Sequence, residues 1–455
     1  MKKIRLFMPL VSALLAVLCF APTAWAFCGF YVAKADTKLY NQASQVIIAR
    51  DGNRTVLTMA NDFQGDVKDF AIVVPVPTIL QKEQVHVAEP KIIERLDAFS
   101  APRLVEYFDS DPCAPVYKIN EMRPMQSAAI SDNSTKEDSS LGVTVEAKFN
   151  VGEYDIVILS AKESGGLETW LNRNNYKIPQ GAKELLKPYI RSAMKFFVAK
   201  VNLDKFAESG YQFLRPLQIS YESRKFMLPI RLGMVNATKE QDLIIYILSP
   251  KGQAEITNYR TVKVPSDVNI PVFVKNQFGD FYKSMFQNSY TKEDKKVGFL
   301  EYAWDMSSCD PCAAEPLNNE ELKQAGVFWL SDNSDSNSPI APGFRSRFPS
   351  SSVFITRLHV RYTRNKFPED LIFQETAQRD LFQGRYILQH PFTGQVKCSA
   401  GRRYKSSLKQ RFEQEAQNLA RLTNWNIQDI RRKMKLSMGN ISNSWWDNFL
   451  SWLSL

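Results

Sequence analysis

The stretch QVIIARDGNRTVLTM, residues 45–59, decides the fold class. Two runs rich in β-branched residues, Gln45–Arg50 and Thr55–Met59, flank the polar segment Asp51-Gly52-Asn53. Such runs favour β-strands, and a short turn containing Asp, Gly and Asn is typical of a β-hairpin. The sequence therefore predicts a sheet that begins with two antiparallel neighbours.

Further strands and helices follow from the same kind of pattern. Phe70–Val76 predicts a strand that ends, or lies at a sheet edge, where Pro75 and Pro77 remove backbone donors. Other strand-like runs are Tyr154–Ser160, Leu217–Tyr221, Phe226–Gly233, Leu243–Leu248, Val353–Tyr362 and Asp370–Phe373. Helical spacing predicts helices over Lys91–Phe99, Pro102–Phe108 with Ser100 as its cap, Leu167–Leu171, and Ala182–Val201. The mixture predicts an α+β fold.

An internal similarity suggests two related sheet-and-helix units. Leu217–Pro250 repeats the element order of Gln45–Pro77, and the tetrapeptide Asp-Pro-Cys-Ala occurs at 111–114 and again at 310–313. Duplication and chance similarity remain equally open explanations. The predicted organisation is a leader 1–26, a first unit 27–205 with a flexible loop 127–140, a second unit 206–396 with a flexible loop 331–343, and a basic helical C-terminal arm 397–455.

The composition is that of a globular protein. The chain has 455 residues, of which 44% are hydrophobic and 23% charged, with 19 Gly and 23 Pro. These fractions exclude a wholly disordered chain, a collagen and a coiled coil. The length is sufficient for two or three domains.

The N-terminus carries the pattern of an export signal. Lys2, Lys3 and Arg5 precede the apolar run Leu6–Phe20, and Ala24-Trp25-Ala26 supplies small residues at the positions that a signal peptidase reads. The apolar run is shorter than the ~20 residues of a membrane-spanning helix, which disfavours an uncleaved anchor. We therefore expect cleavage after Ala26 and an extracytoplasmic location, in the periplasm or secreted.

The positive charge is concentrated near the C-terminus. The formal net charge is +10, and Lys397–Lys435 contains eleven Lys or Arg residues against three acidic ones. Apolar residues at helical spacing predict an amphipathic arm. It either packs its apolar stripe on the protein's own body, which is the favoured interpretation, or lies on an anionic membrane surface or another envelope component. The membrane-surface candidates are Arg431, Arg432, Lys433, Lys435, Trp445, Trp446 and Trp452. No nucleic-acid partner is expected.

The cysteines suggest disulfides and one weak redox motif. After loss of Cys19 with the leader, the disulfide candidates are Cys28, Cys113, Cys309, Cys312 and Cys398. Cys309 and Cys312 form a CxxC, but the Asp310 carboxylate between them would raise the thiol pKa and disfavour a reactive thiolate. A structural disulfide, local or to Cys113 or Cys28, is the favoured use. A thiol-disulfide oxidoreductase using Cys309 and Cys312 is the alternative.

Other chemistry-bearing residues are sparse. Arg357, His359 and Arg361 alternate along a predicted strand and so share one face, where they could, with Asp370, bind an anion or form an acid/base site. A strand with a solvated polar face gives the same pattern and is the favoured explanation. The three histidines form no metal-binding spacing, and no nucleotide or hydrolase motif is present, so no metal and no cofactor are expected.

Several segments together resemble a family of exported bacterial proteins catalogued as domain of unknown function 2330. They are Cys28–Val32, Thr55–Met59, Val73–Pro77, Asp111–Cys113, Glu153–Ile156 and Arg357–Tyr362. The resemblance implies an exported globular protein and carries no activity, ligand or catalytic residue. The function expected from the sequence is a non-catalytic binding or envelope-associated protein outside the cytoplasm.

Overall fold

The computed structural model describes residues 30–33, 43–60, 70–114, 144–161, 164–173, 182–211, 214–235, 240–309, 314–330 and 352–439. The strands are β1 (Phe30–Ala33), β2 (Ala43–Asp51), β3 (Arg54–Ala60), β4 (Phe70–Val76), β5 (Val85–Val87), β6 (Arg103–Phe108), β7 (Thr144–Val151), β8 (Tyr154–Ser160), β9 (Lys195–Val201), β10 (Leu217–Glu222), β11 (Met227–Leu228), β12 (Gln241–Ser249), β13 (Ala254–Ile256), β14 (Arg260–Lys263), β15 (Val268–Asn269), β16 (Val297–Asp305), β17 (Phe354–Tyr362), β18 (Leu371–Glu375), β19 (Phe382–Gln383) and β20 (Arg385–His390). The helices are α1 (Lys91–Ser100), α2 (Ser164–Arg173), α3 (Ala182–Arg191), α4 (Leu203–Glu208), α5 (Phe278–Lys292), α6 (Asn319–Gln324), α7 (Ser399–Thr423) and α8 (Ile427–Gly439).

These strands form four sheets. A nine-stranded sheet has the order β14-β16-β17-β12-β2-β3-β10-β5, with β19 paired to β16. A five-stranded sheet has the order β1-β4-β9-β8-β7, and two three-stranded sheets have the orders β11-β18-β13 and β15-β20-β6. Mixed parallel and antiparallel pairing together with packed helices confirms the predicted α+β class.

The predicted hairpin lies at the centre of the nine-stranded sheet. β2 pairs with β3 in an antiparallel register that places Asp51 opposite Arg54, so Gly52 and Asn53 form the turn. Gly52 has φ +57°, a conformation that glycine adopts without strain at the first turn position of a type II′ hairpin. On its other side β2 pairs in parallel with β12, which brings residues from distant parts of the chain into register.

Both faces of the nine-stranded sheet are buried, which explains the unbroken apolar run in β2. Val46 and Ile48 face a core shared with β4, β8 and β9 of the five-stranded sheet. Ile47 and Ala49 point to the opposite face, where α1 covers the sheet with residues such as Leu96. Period-two alternation therefore sends successive apolar side chains into two different cores.

Two predicted helices are strands in the structure. Pro102–Phe108 contains β6, which pairs in parallel with β20, and Ser100 is the last residue of α1 rather than a cap. The predicted helix Ala182–Val201 ends at Arg191, and the chain then continues as β9. Between them Ala193 has φ 55°, which breaks the helical path. β9 lies inside the five-stranded sheet, so its apolar residues are buried on both faces. A continuous apolar run of this kind fits a buried strand and a buried helix equally well.

The strand predicted over Phe226–Gly233 is also largely wrong. Only Met227–Leu228 is a strand, and residues 231–234 form a 3-10 turn. Pro229 interrupts the run because it has no N–H for a sheet ladder. The strands predicted near β4, β8, β10, β12, β17 and β18 and the helix at α2 are confirmed.

The two similar segments take different places in the sheets. In Gln45–Pro77, β2 pairs with β3 and β4 belongs to the five-stranded sheet. In Leu217–Pro250, β10 pairs with β3 and β5, and β12 belongs to the nine-stranded sheet. That sheet takes strands from both sides of the predicted boundary at residue 205, and the division into two units stays a prediction. The loops 127–140 and 331–343 and the second Asp-Pro-Cys-Ala segment lie outside the described residues.

Candidate functional site

The three basic side chains predicted to share a face of β17 do so, but that face is buried. Arg357 is 5% exposed and His359 8%. The aromatic ring of Phe286, on α5, stacks on the His359 imidazole with 3.8 Å between ring centroids. Helices α1 and α5 cover this region instead of water, so the pattern reflects an internal ionic cluster rather than a solvated strand face.

Three carboxylates pair with these three cations. Glu301 accepts a hydrogen bond from Arg357 Nε at 2.6 Å and lies 2.8 Å from His359 Nδ1. Asp242 lies 3.0 Å from His359 Nε2 and accepts hydrogen bonds from Arg361 Nε and Nη2 at 2.7 and 2.8 Å. Asp97 accepts from Arg357 Nη1 at 2.7 Å. We call these six residues the β17 ionic cluster.

The pKa shifts within this cluster favour the charged forms. Burial alone would raise the pKa of Glu301, but Arg357 and His359 hold it at about 2. The pKa of Asp242 is likewise about 2, because His359 and Arg361 outweigh the effect of burial. Burial would lower the pKa of His359, yet the two carboxylates raise it. With the imidazole protonated, the three positive and three negative charges balance.

This balance bears on the predicted anion-binding role of Arg357, His359 and Arg361. Each cation already contacts a carboxylate, and Tyr282 donates a further hydrogen bond to Glu301. An incoming anion would have to displace Glu301 or Asp242 from a buried position, which is costly. Anion binding at these residues stays a prediction, and within the fold the six charged groups pair with one another.

Asp370 lies elsewhere, so it does not join these residues. Its Oδ1 accepts hydrogen bonds from the Tyr189 hydroxyl at 2.6 Å and from the backbone N–H of Ile230 at 2.9 Å. Its Oδ2 accepts from Arg231 Nε at 3.0 Å and from Nη2 at 2.6 Å. Asp370 thus holds α3 against the turn after β11.

One disulfide links distant parts of the chain. Cys113, just after β6, is bonded to Cys398, the N-cap residue of α7, at a sequence separation of 285 residues. Cys113 is therefore not the partner of Cys309 or Cys312. Cys309 is also disulfide-bonded, whereas Cys28 and Cys312 lie outside the described residues. The oxidoreductase hypothesis for Cys309 and Cys312 stays a prediction.

The apolar stripe of the C-terminal arm packs on the protein's own body up to Met434. Leu408, Phe412 and Ile430 are buried in one cluster with residues of α5 and β20. Arg431 pairs with Glu413, Arg432 with Asp429, and Lys433 donates to Gln277, while Lys435 is half-buried. Trp445, Trp446 and Trp452 lie outside the described residues, and attachment to a membrane surface stays a prediction. No helix in the described ranges is long and apolar enough to cross a membrane.

The histidines and acidic residues provide no metal centre in the part of the chain that the structure describes. His86 is exposed in β5. His390 lies 2.8 Å from Glu106 and stacks on Phe108.

A cavity lies between α7 and the edge strand β15. Its volume is about 620 Å³, within the range of small-molecule sites. The described lining is polar apart from Val268 and includes three side-chain amides from α7, those of Gln410, Gln414 and Asn418. We call it the α7 cavity. A second cavity of about 540 Å³ beside β13 and β14 is lined by groups such as Asn258 and Arg260.

The α7 cavity contains a buried acid and a buried guanidinium edge. Glu415 is 1% exposed, and burial raises its pKa to about 8. Its Oε1 lies 3.6 Å from Arg411 Nε, which is ion-pair distance but too far for a hydrogen bond. Glu415 Oε1, Arg411 Nε and Arg411 Nη2 are buried and have no hydrogen-bond partner. Since buried polar atoms are normally paired, these three atoms make the cavity a candidate binding site.

Sequence reasoning counted Arg411 and Glu415 only as charges of the arm. A signal was present, because the helical period places residue 415 in the same stripe as Leu408, Phe412 and Leu419. A charged residue at such a position is expected to be buried. A buried carboxyl with a shifted pKa in a cavity is a candidate functional residue.

The comparisons with known proteins agree with the resemblance seen in the sequence. The family model described as "Uncharacterized protein conserved in bacteria (DUF2330)" matches residues 22–374. That range includes the β17 ionic cluster but ends before α7. No curated protein and no solved structure matches the chain. Because the matched range covers most of its length, the chain belongs to the bacterial family DUF2330.

Proposed function

We propose that this protein is exported and acts outside the cytoplasm as a non-catalytic binding protein, with the α7 cavity as its ligand site. The observation that carries the binding role is that three buried polar atoms of Arg411 and Glu415 have no hydrogen-bond partner. Two of them, Arg411 Nε and Glu415 Oε1, face each other only at the 3.6 Å of an ion pair. Buried polar atoms without partners cost free energy, and a polar ligand would remove that cost. The basic arm provides a further route to an anionic membrane surface or another envelope component.

The chemistry of the lining supports binding rather than catalysis. Amides and guanidinium groups supply hydrogen bonds, and the described lining holds no Ser, Thr, Cys or Lys nucleophile that is paired with a base. Ser407 is the hydroxyl among the described lining residues, and its Oγ donates to the Tyr404 carbonyl oxygen at 2.8 Å. This hydroxyl is not paired with a general base.

The proposed location rests on two features. The N-terminal 26 residues have the pattern of a cleavable leader. In addition, the Cys113–Cys398 disulfide closes a 285-residue separation, and structural disulfides of this kind persist in oxidising compartments. Both features favour the periplasm or the medium.

Peptide mapping of the protein from fractionated cells tests the location and the state of the thiols. We expect an extracytoplasmic protein that begins at Phe27 and contains a peptide in which Cys113 is joined to Cys398. We also expect Cys309 to resist alkylation until a reductant is added, because it is disulfide-bonded. The measurement is mass spectrometry after alkylation with and without reductant.

Two results of that mapping would contradict the proposal. A cytosolic protein that begins at Met1 and has free thiols throughout would exclude export. Cys309 and Cys312 that cycle rapidly with a thiol-disulfide buffer, and that oxidise or reduce a peptide substrate catalytically, would favour the oxidoreductase alternative.

Filling the α7 cavity tests the binding role. Gln414 is an exposed lining residue, and Gln417 lies on the same helix outside the lining. In a thermal-shift screen of small polar compounds, we expect ligands that raise the melting temperature of the unmodified protein by about 2 °C or more. Gln414→Trp should remove that shift, because the indole occupies the cavity, whereas Gln417→Trp should keep it. Equal shifts in both variants would place the binding site elsewhere.

A further inference from the structure

We propose that the α7 cavity binds a small monoanionic carboxylate, which accepts hydrogen bonds from Arg411 Nε and Nη2 and a third from the carboxylic acid of Glu415. This inference rests on the binding function proposed above and specifies its ligand class. It follows from the geometry of two side chains and from the charge of the cavity.

Arg411 has one buried guanidinium edge that makes no hydrogen bond. Its Nη1 donates to Asp109 Oδ2 at 2.7 Å, which fixes the orientation of the plane. Asp109 also accepts from the Tyr404 hydroxyl at 2.5 Å and from Gln389 at 2.6 Å, so it is held in place. The remaining Nε and Nη2 are parallel donors without a hydrogen-bond partner, and Nε lies at ion-pair distance, 3.6 Å, from Glu415 Oε1. Two parallel donors match the two oxygens of a planar carboxylate.

Glu415 completes the site as a hydrogen-bond donor. A protonated carboxyl donates, whereas an ionised one only accepts and would repel a bound anion. Burial raises the pKa of Glu415 to about 8, so the acid is mainly neutral at pH 7. The charged groups around it are Arg411 and Arg421 on its own helix, Asp109 beyond β6, and Asp267 beside β15, the last paired with Arg385.

The charges of the cavity favour a monoanion. The positive charge of Arg411 is balanced by Asp109, and that of Arg385 balances Asp267. Arg421 donates to Asn418 Oδ1 at 3.3 Å and makes no ion pair among the described residues. With Glu415 neutral, these groups sum to one positive charge. A single carboxylate neutralises it, whereas a dianion would leave excess negative charge in a partly buried site.

The rest of the lining suits a ligand with polar groups beyond its carboxylate. The amides of Gln410 and Gln414 line the cavity, and Val268 adds one small aliphatic side chain. Amides can donate to and accept from a peptide group or a hydroxyl. A free small acid and the C-terminus of a peptide share this chemistry, and the experiment below separates them.

Calorimetric titration of the purified full chain with N-acetylglycine tests the proposal. We expect binding near pH 7 that weakens roughly tenfold or more near pH 9.5, because binding above the pKa of Glu415 requires uptake of a proton. Titrations in two buffers with different ionisation enthalpies should report that uptake. N-acetylglycinamide, which lacks the carboxylate, should not bind. Tighter binding of N-acetyl-trialanine would indicate a peptide C-terminus, and weaker binding a free small acid.

Two variants and one control variant test whether Arg411 and Glu415 bind the carboxylate. Glu415→Gln keeps a neutral donor, so we expect binding at pH 7 to persist and its pH dependence to disappear. Arg411→Lys keeps the charge beside Asp109 but removes the paired donors, so we expect a loss of affinity of roughly tenfold or more. Arg403→Lys, an exposed position on the same helix, should change neither property.

Three outcomes would overturn the carboxylate assignment. The first is equal affinity for N-acetylglycine at both pH values without proton uptake. The second is unchanged affinity in a folded Arg411→Lys protein. The third is failure of carboxylates to bind while inorganic phosphate or another polar compound binds and is blocked by Gln414→Trp. That third result would leave the binding function intact, whereas no binding of any compound at the cavity would contradict both proposals.

Discussion

Glu301→Gln is expected to lower the free energy of unfolding by about 3–5 kcal/mol, because it leaves buried cations without their counter-ion. Glu301 is 1% exposed and contacts both Arg357 and His359. The substitution keeps the shape of the side chain, so the loss reports charge and hydrogen bonding rather than a cavity. Urea unfolding at neutral pH, followed by far-ultraviolet circular dichroism, would measure it.

The pH dependence of this difference provides an internal control. The pKa of Glu301 in the folded protein is about 2, below the value of about 4.3 expected in the unfolded chain. Its contribution is therefore fully present above pH ~4.3 and is lost as the pH falls toward ~2. The two proteins should converge in stability on acidification. A constant difference down to pH ~2 would contradict the ionic explanation.

A surface pair supplies the matched comparison. Glu293 pairs with Arg260, and their side chains are 32% and 65% exposed. Glu293→Gln is the same chemical change, but exposed ion pairs contribute only about 0–1 kcal/mol. If Glu301→Gln costs no more than Glu293→Gln, the β17 ionic cluster does not stabilise the fold as inferred.

The sequence correctly predicted strands in which β-branched residues and flanking turn residues give a clear local pattern. The hairpin around Gly52 and strands such as β12 and β17 combine β-branched residues with clear turns, so local propensity and packing agree. β9 was predicted as helix because both of its faces are buried, and a continuous apolar run does not distinguish a strand from a helix. β6 was predicted as helix because its parallel partner β20 lies 282 residues later, beyond any local signal.

The candidate sites divide in the same way. Alternation along β17 correctly placed Arg357, His359 and Arg361 on one face, since that depends only on strand geometry. Their partners Glu301 and Asp242 come from β16 and β12, and no spacing in the sequence relates these strands. Because α5 covers this face of β17, the face that we expected to be solvated is a buried ionic cluster. The surroundings of these three residues therefore depend on contacts between distant parts of the chain, which the local sequence does not reveal.

The Cys113–Cys398 disulfide provides the second large expected effect. We expect Cys113→Ser combined with Cys398→Ser to lower the free energy of unfolding by about 2–5 kcal/mol, because removing a cross-link over a long separation increases the entropy of the unfolded chain. The double substitution avoids a free thiol that could pair wrongly. Urea unfolding of the double variant and of the unmodified protein, without reductant, would measure the difference.

The same substitution should loosen α7 locally, because Cys398 is the residue that caps it and ties its first turn to the end of β6. Hydrogen exchange should therefore increase most in Ser399–Thr423, while β2 and β12 at the centre of the nine-stranded sheet stay protected. Since α7 carries Arg411 and Glu415, ligand affinity at the α7 cavity should fall together with that protection. Unchanged exchange in α7 with a full loss of global stability would mean that the cross-link acts only on the unfolded chain and does not hold the cavity in shape.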